Sequence, residues 1–203
     1  MLAGFTGEHV AVSLRRPVPL DRPLSVARDA HGSSLLDGDE VVAEAVSERF
    51  DVDVPDPVDL AAARDATTRY RGDREGVFSR CFVCGLARDD GFHVHPGEVA
   101  GRPLVASPWT PPAWAADGEG NVRREFVWAA LDCPATFAAP ALGVLARFVV
   151  RIDAPVAAGR EHVIIGWPLS ADGRKQHAGS AIFSAAGDLL AVSRALLVVP
   201  RAA

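Results

Sequence analysis

Cys81 and Cys84 are separated by two residues, and His93 and His95 follow nine and eleven residues after Cys84. Cys-x-x-Cys spacing lets two thiolates reach one ion, and imidazoles complete many tetrahedral zinc sites, so a Cys2His2 set is one chemistry open to this segment. On an extended strand His93 and His95 would present both rings to one side. The competing reading is a turn of small residues packed against the core, because free cysteines are among the most buried residue types. We adopt that reading, with no metal and no cofactor assigned. A thioredoxin-type redox role lacks the surrounding βαβ pattern. Cys133 has no histidine near it in sequence and reads as a packing residue.

A second group of reactive types lies on one predicted helix. Asp132 falls just before Cys133-Pro134, Glu125 precedes it by two helical turns, and Trp128 stands between them. A carboxylate in such a position activates water as a general base or attacks directly as a nucleophile, or else bonds neighbouring backbone before a proline. Glu125 suits a solvated first turn, where a negative charge meets the positive end of the helix dipole. Arg174, Lys175 and His177 follow a turn at Asp172-Gly173; they would meet phosphate groups of a nucleotide carrier or form a solvated sheet edge. Trp128 and Trp167 would line an apolar pocket or fill the core.

The composition limits what these groups serve. The chain has 203 residues, a formal net charge of −5 and a single lysine, Lys175, among 21 basic residues. That balance argues against a protein that binds nucleic acid by neutralising phosphates. No apolar run is long enough to span a membrane, and no basic-then-apolar leader opens the sequence, so we expect a cytoplasmic protein without a membrane partner. Three cysteines in a chain of this length do not make a disulfide scaffold.

The elements that must position these residues are mostly strands. Val10 and Val12 alternate with Ala11 and Ser13; Leu24 to Ala27 and Ser34 to Leu36 are short apolar runs; Asp37-Gly38-Asp39 is a turn leading to Val41 to Ala45. Residues 51–57, Asp-Val-Asp-Val-Pro-Asp-Pro, form a linker, and Val58 to Tyr70 predicts a short helix. Leu104 to Ser107 predicts a strand, and Pro108 to Asn121 a loop. Asn121 is the predicted N-cap of a helix carrying Val122, Phe126, Val127, Ala130 and Leu131 on one side, and Pro134 should kink or stop it. After Gly143 the period becomes two over Val144 to Ile152; Val163 to Leu169 is near-continuously apolar, and short turns then lead to Arg174 to Phe183 and Leu189 to Val199, which predicts consecutive antiparallel strands. The two regions share a pattern, with Pro17-Val18 matching Pro155-Val156 and Gly38-Asp39 matching Gly187-Asp188, which predicts two similar sheets.

One helix wrapped by a long antiparallel sheet resembles the hotdog fold. Phe126-Val127-Trp128-Ala129-Ala130-Leu131-Asp132-Cys133-Pro134 resembles the central-helix segment of thioesterase-like, PaaI-like hotdog proteins. Cys81-Phe82-Val83-Cys84-Gly85 with Asp90-Gly91-Phe92 resembles the approach to their first strand, and Gly173-Arg174-Lys175, Ser180 to Phe183, Gly187 and the Ala191 strand fit the later ones. The resemblance covers most of residues 78–199 and implies an α+β fold: a complete hotdog domain at 78–203, preceded by strands of a partial repeat at 1–50 and a linker at 51–77. It also implies that Asp132 is the general base or nucleophile on an acyl-CoA or acyl-carrier thioester, with helix-start N–H groups polarising the carbonyl and Trp128, Glu125, Arg174 and Lys175 at the ligand. Arg123-Arg124-Glu125 replaces the family's His-Gly-Gly start, and losing glycine there hinders close approach of a carbonyl to the backbone.

Two functions follow from this reading: a thioesterase-like hydrolase, and a non-catalytic hotdog domain that binds an acyl or other hydrophobic ligand or serves in assembly. A homodimer or higher homo-oligomer is expected in either case. Residues 1–50 hold only the later strands of a repeat, so Leu2 to Phe5 would be the tail of its missing helix, and the truncated N-terminal repeat is expected to be either naturally reduced or continued upstream of Met1.

Overall fold

The computed structural model describes residues 9–72 and 76–201; Leu2 to Phe5 and the helix tail expected there lie outside them. Ten strands form one sheet: β1 (His9–Leu14), β2 (Ser25–Arg28), β3 (Ser33–Asp37), β4 (Glu40–Ser47), β5 (Gly97–Glu98), β6 (Val105–Trp109), β7 (Val144–Ile152), β8 (His162–Asp172), β9 (Lys175–Ser184) and β10 (Leu189–Val198). Their order is β2-β3-β4-β1-β7-β10-β9-β8-β6-β5, and all the pairings are antiparallel. Two helices pack on it, α1 (Leu60–Thr67) and α2 (Arg124–Ala138). No helix among the described residues is long and apolar enough to cross a membrane.

The two expected sheets are continuous. β1 and β7 pair at the centre, with Val12 opposite Phe148 and Ala11 opposite Val149. Outward from that seam β1-β4-β3-β2 are joined in the same order as β7-β10-β9-β8. Because residues directly opposite share a face, Val12 lies on the face where Phe148 and Val150 meet α2, and Ala11 on the face where Val149 packs with Ala63 and Ala66 of α1. Each face thus has its own apolar cluster, and the sheet separates them.

α1 begins where Asp59 accepts a hydrogen bond from the Ala62 N–H at 2.7 Å. This is the usual way a short side chain satisfies a free donor in the first turn. α2 departs from the sequence expectation at both ends. Its N-cap is Arg123, without a side-chain cap, and not Asn121, whose N–H is instead held by Asp117 Oδ1 at 3.0 Å. Pro134 does not stop it: the helix runs four residues further, to Ala138. A proline removes one N–H and crowds the preceding turn, but here tertiary packing outweighs that cost. The Pro134 carbonyl lies against Gly166 of β8, so close that a Cβ there would sit 2.2 Å from it. Ser180 of β9 adds a buried hydrogen bond at 2.6 Å to the Leu131 carbonyl. The predicted loop over 108–121 contains one 3-10 turn, Ala113–Ala115.

Candidate functional site

α2 turns Val127, Ala130, Leu131 and Pro134 toward the sheet and Cys133 and Phe137 toward the segment that precedes β5. At 100° per residue, Glu125, Ala129 and Asp132 then fall on the side away from the sheet. Asp132 is half-buried, and its Oδ1 lies 3.5 Å from the Thr136 hydroxyl. That contact is too long to be a strong bond. Burial pushes the carboxyl up to about 6, the neighbouring Cys81 sulfur adds to the rise, and Thr136 opposes it. A carboxylate held by backbone donors would shift the other way. Asp132 therefore exchanges its proton closer to neutral pH than a free aspartate does.

Trp128, one turn earlier, stands edge-on to Phe148 of β7 with ring centroids 5.7 Å apart. It is half-buried, so it packs the seam between helix and sheet while keeping an accessible surface. Glu125 approaches Arg123 at 3.7 Å and lies about 10 Å along the helix axis from Asp132. The two carboxylates do not form a coupled pair. The N–H groups of Arg124 and Glu125 open the helix with no carbonyl four residues back inside it, whereas the Phe126 N–H already bonds the Arg123 carbonyl at 2.9 Å. Such free donors carry the positive end of the helix dipole. Beside them is a cleft of about 260 Å³ lined by Arg124, Val127, Asn121, Ile152 and Val156.

Arg174 and Lys175 sit at the β8–β9 turn, exposed, with Arg174 Nη1 bonding the Val199 carbonyl at 3.1 Å. The same hairpin end holds Gln176, whose side chain accepts from the Ala141 N–H just beyond the C-terminus of α2. These basic residues thus stand at the opposite end of the helix from its free N–H donors.

The cysteines are arranged in a way their spacing did not reveal. Cys81, Cys84 and Cys133 place their sulfur atoms within 4.8 Å of one another, and Cys81 and Cys133 are 3.6 Å apart. Cys133 and then Cys84 hold the Cys81 thiol well below its ordinary range by donating to it. The Cys133 thiol is pushed up by Cys81, Cys84 and burial. For Cys84 the pull of Cys133 is downward, but Cys81 and burial outweigh it and the net shift is upward. His93 and His95 do not join this cluster, and the expectation that they share a strand face fails because both lie in a loop. His93 is exposed with a φ of 54°. His95 stacks on Tyr70 at 5.1 Å, and its Nε2 is buried with no partner among the described residues. Burial lowers its pKa, and the adjacent His93 adds to that. Tyr70 in turn donates to the Cys84 carbonyl at 2.9 Å.

A single antiparallel sheet whose strands β6 to β10 pack against α2 can be compared with solved structures. A Mycobacterium avium subspecies paratuberculosis tesB protein superposes with a TM-score of 0.59, covering 96% of this chain and 78% of its own at 15% identity. The chain has the hotdog fold. A second solved structure, described as a thioesterase superfamily protein, shares the hotdog core with a TM-score of 0.53 and 21% identity over 57% of this chain. That match spans 61% of the second protein, less than two thirds of its length. No protein-family model matches the sequence, and no curated protein aligns with it. The likeness is therefore one of hotdog architecture.

Proposed function

We propose that this hotdog protein hydrolyses an acyl thioester, with Asp132 as the general base that activates water. The observation that supports this most is the state of Asp132 itself: half-buried on the central helix, lightly bonded, and shifted by burial to about 6. A carboxyl with that affinity is ionised at neutral pH and basic enough to take a proton from water in the transition state. Trp128 and Phe148 offer an apolar wall for the acyl chain, which Val12 of β1 extends on the same face. Arg174 and Lys175 are the groups for the phosphates of a carrier.

The oxyanion requires N–H donors. The free N–H groups of Arg124 and Glu125 supply them, but along one helix they lie about 10 Å from Asp132. A donor within about 3 Å of the oxyanion and a base within about 3 Å of the attacking water are at most about 8 Å apart. One copy of α2 therefore does not serve both roles for one carbonyl. The reading accordingly includes a homodimer in which the helix start of one protomer faces Asp132 of its partner.

The test is hydrolysis of acyl-CoA and acyl-carrier thioesters of several chain lengths by the wild type and Asp132→Asn. Turnover on at least one chain length that falls about 100-fold or more in the variant supports the proposal. Equal rates, or no turnover on any substrate, would leave a hotdog domain that binds an acyl ligand without cleaving it.

A further inference from the structure

We propose that Cys81, Cys84 and Cys133 bind one zinc ion through three thiolates, as a staple between the loop before β5 and the central helix. Zinc–thiolate bonds of about 2.3 Å place two sulfurs of a tetrahedral site about 3.8 Å apart. Cys81 and Cys133 are 3.6 Å apart, and all three sulfurs converge within 4.8 Å. That geometry needs only small rotations to close on an ion. It is also too long for a disulfide, which in any case would use two thiols and leave the third.

The loop is built to hold its sulfurs. The Gly85 N–H bonds the Cys81 carbonyl at 2.8 Å. A Cβ at Gly85 would lie 2.5 Å from the carbonyl oxygens of both Cys81 and Ser79, so the turn that closes the Cys-x-x-Cys pair requires glycine. Further along, the Phe92 and Val94 N–H groups return to the Phe82 and Val83 carbonyls at 2.9 Å, fixing the loop without strand or helix. Cys133 enters from α2, 49 residues after Cys84 in sequence.

Packing alone does not account for the cluster. Apolar side chains would fill this corner as well, whereas three sulfurs turned on one point are an arrangement that soft-ligand metals select. Cys84 and Cys133 are buried and Cys81 is half-buried, which leaves the fourth position of the ion open on the Cys81 side. Binding releases the protons of the thiols that become thiolates to solvent, with no change of oxidation state.

The experiment is metal analysis of the full chain purified under reducing conditions without chelators, followed by cobalt(II) loading of chelator-stripped protein. The expected result is one zinc per chain and a cobalt spectrum with thiolate-to-metal charge transfer and tetrahedral ligand-field bands. In chelator competition Cys133→Ser should lower zinc affinity at least about tenfold, and His95→Ala should leave it unchanged. Sub-stoichiometric zinc, a cobalt spectrum without thiolate charge transfer, or wild-type affinity in Cys133→Ser overturns the proposal. If the serine variant does not fold, the wild-type cobalt spectrum decides alone. None of these readouts depends on turnover.

Discussion

Val12 of β1 lies directly opposite Phe148 of β7, on the same face of the sheet, and Trp128 of α2 stands edge-on to Phe148. The N-terminal strands thus continue the sheet face on which α2 packs, rather than forming a separate sheet. Val12→Asp places a charge on this half-buried face. It should raise KM for long-chain acyl thioesters about tenfold while leaving that for acetyl thioesters nearly unchanged, since one charge opposes burial of the chain by about 1–3 kcal/mol. Equal effects on both, measured by steady-state kinetics, would remove Val12 from the proposed acyl-binding wall.

Arg123, immediately before α2, has φ −58° and ψ 142°, a conformation compatible with a following proline. Arg124 is the first helical residue, where proline is well tolerated. Arg124→Pro should therefore fold normally while deleting one candidate oxyanion donor. A fall of about 100-fold in kcat with unchanged melting temperature is expected if that N–H contacts the oxyanion. Undiminished kcat would assign the role to the Glu125 N–H.

Asp132 titrates near 6 in the folded protein against 3.8 for the free side chain. Between those values the folded state holds the proton that the unfolded chain has already lost. Its contribution is thus fully present below about pH 4, falls as pH rises toward 6, and is gone above. The size is about 1–3 kcal/mol. Asp132→Asn should accordingly be more stable than wild type at pH 7.5 and less sensitive to pH across that window, as read by denaturant melts at several pH values. A less stable variant at pH 7.5 would show that the carboxylate is a structural ligand.

The carbonyl of Pro134 occupies the space a Cβ at Gly166 would take. Gly166→Ala must push β8 off the central helix and should cost about 1–3 kcal/mol, as overpacking in close-packed cores does. A thermal shift of less than 1 °C would mean that the contact yields easily.

How much of this was legible in the sequence depended on how local the cause was. β7 followed from alternation, because strand faces repeat every two residues, and β8 to β10 from a near-continuous apolar run at 163–169 and from the glycine turns that follow it. The helix boundaries did not: Asn121 has the right chemistry for a cap, but Asp117 already holds its N–H, and the helix begins at the next free donors. Pro134 reads as a stop when only the local backbone is considered; the close approach at Gly166 and the Ser180 hydrogen bond to Leu131 are tertiary facts. Asp132 was visible as the carboxylate of a helix motif, but its upward shift comes from burial and from Cys81, 51 residues away. Cys133 carried no sign of its partners, since only the fold brings it to Cys81 and Cys84, and spacing pointed to His93 and His95 instead.

The central claim is that the Asp132 carboxylate acts as base on a thioester, and the pH dependence of kcat/KM tests it most directly. On a thioester that the wild type turns over, kcat/KM should rise tenfold per pH unit below about 6 and level off above it, as the Asp132 carboxyl ionises. Asp132→Asn should lose both the rise and about 100-fold or more of the plateau. A variant that keeps the wild-type limb and plateau would contradict the assignment.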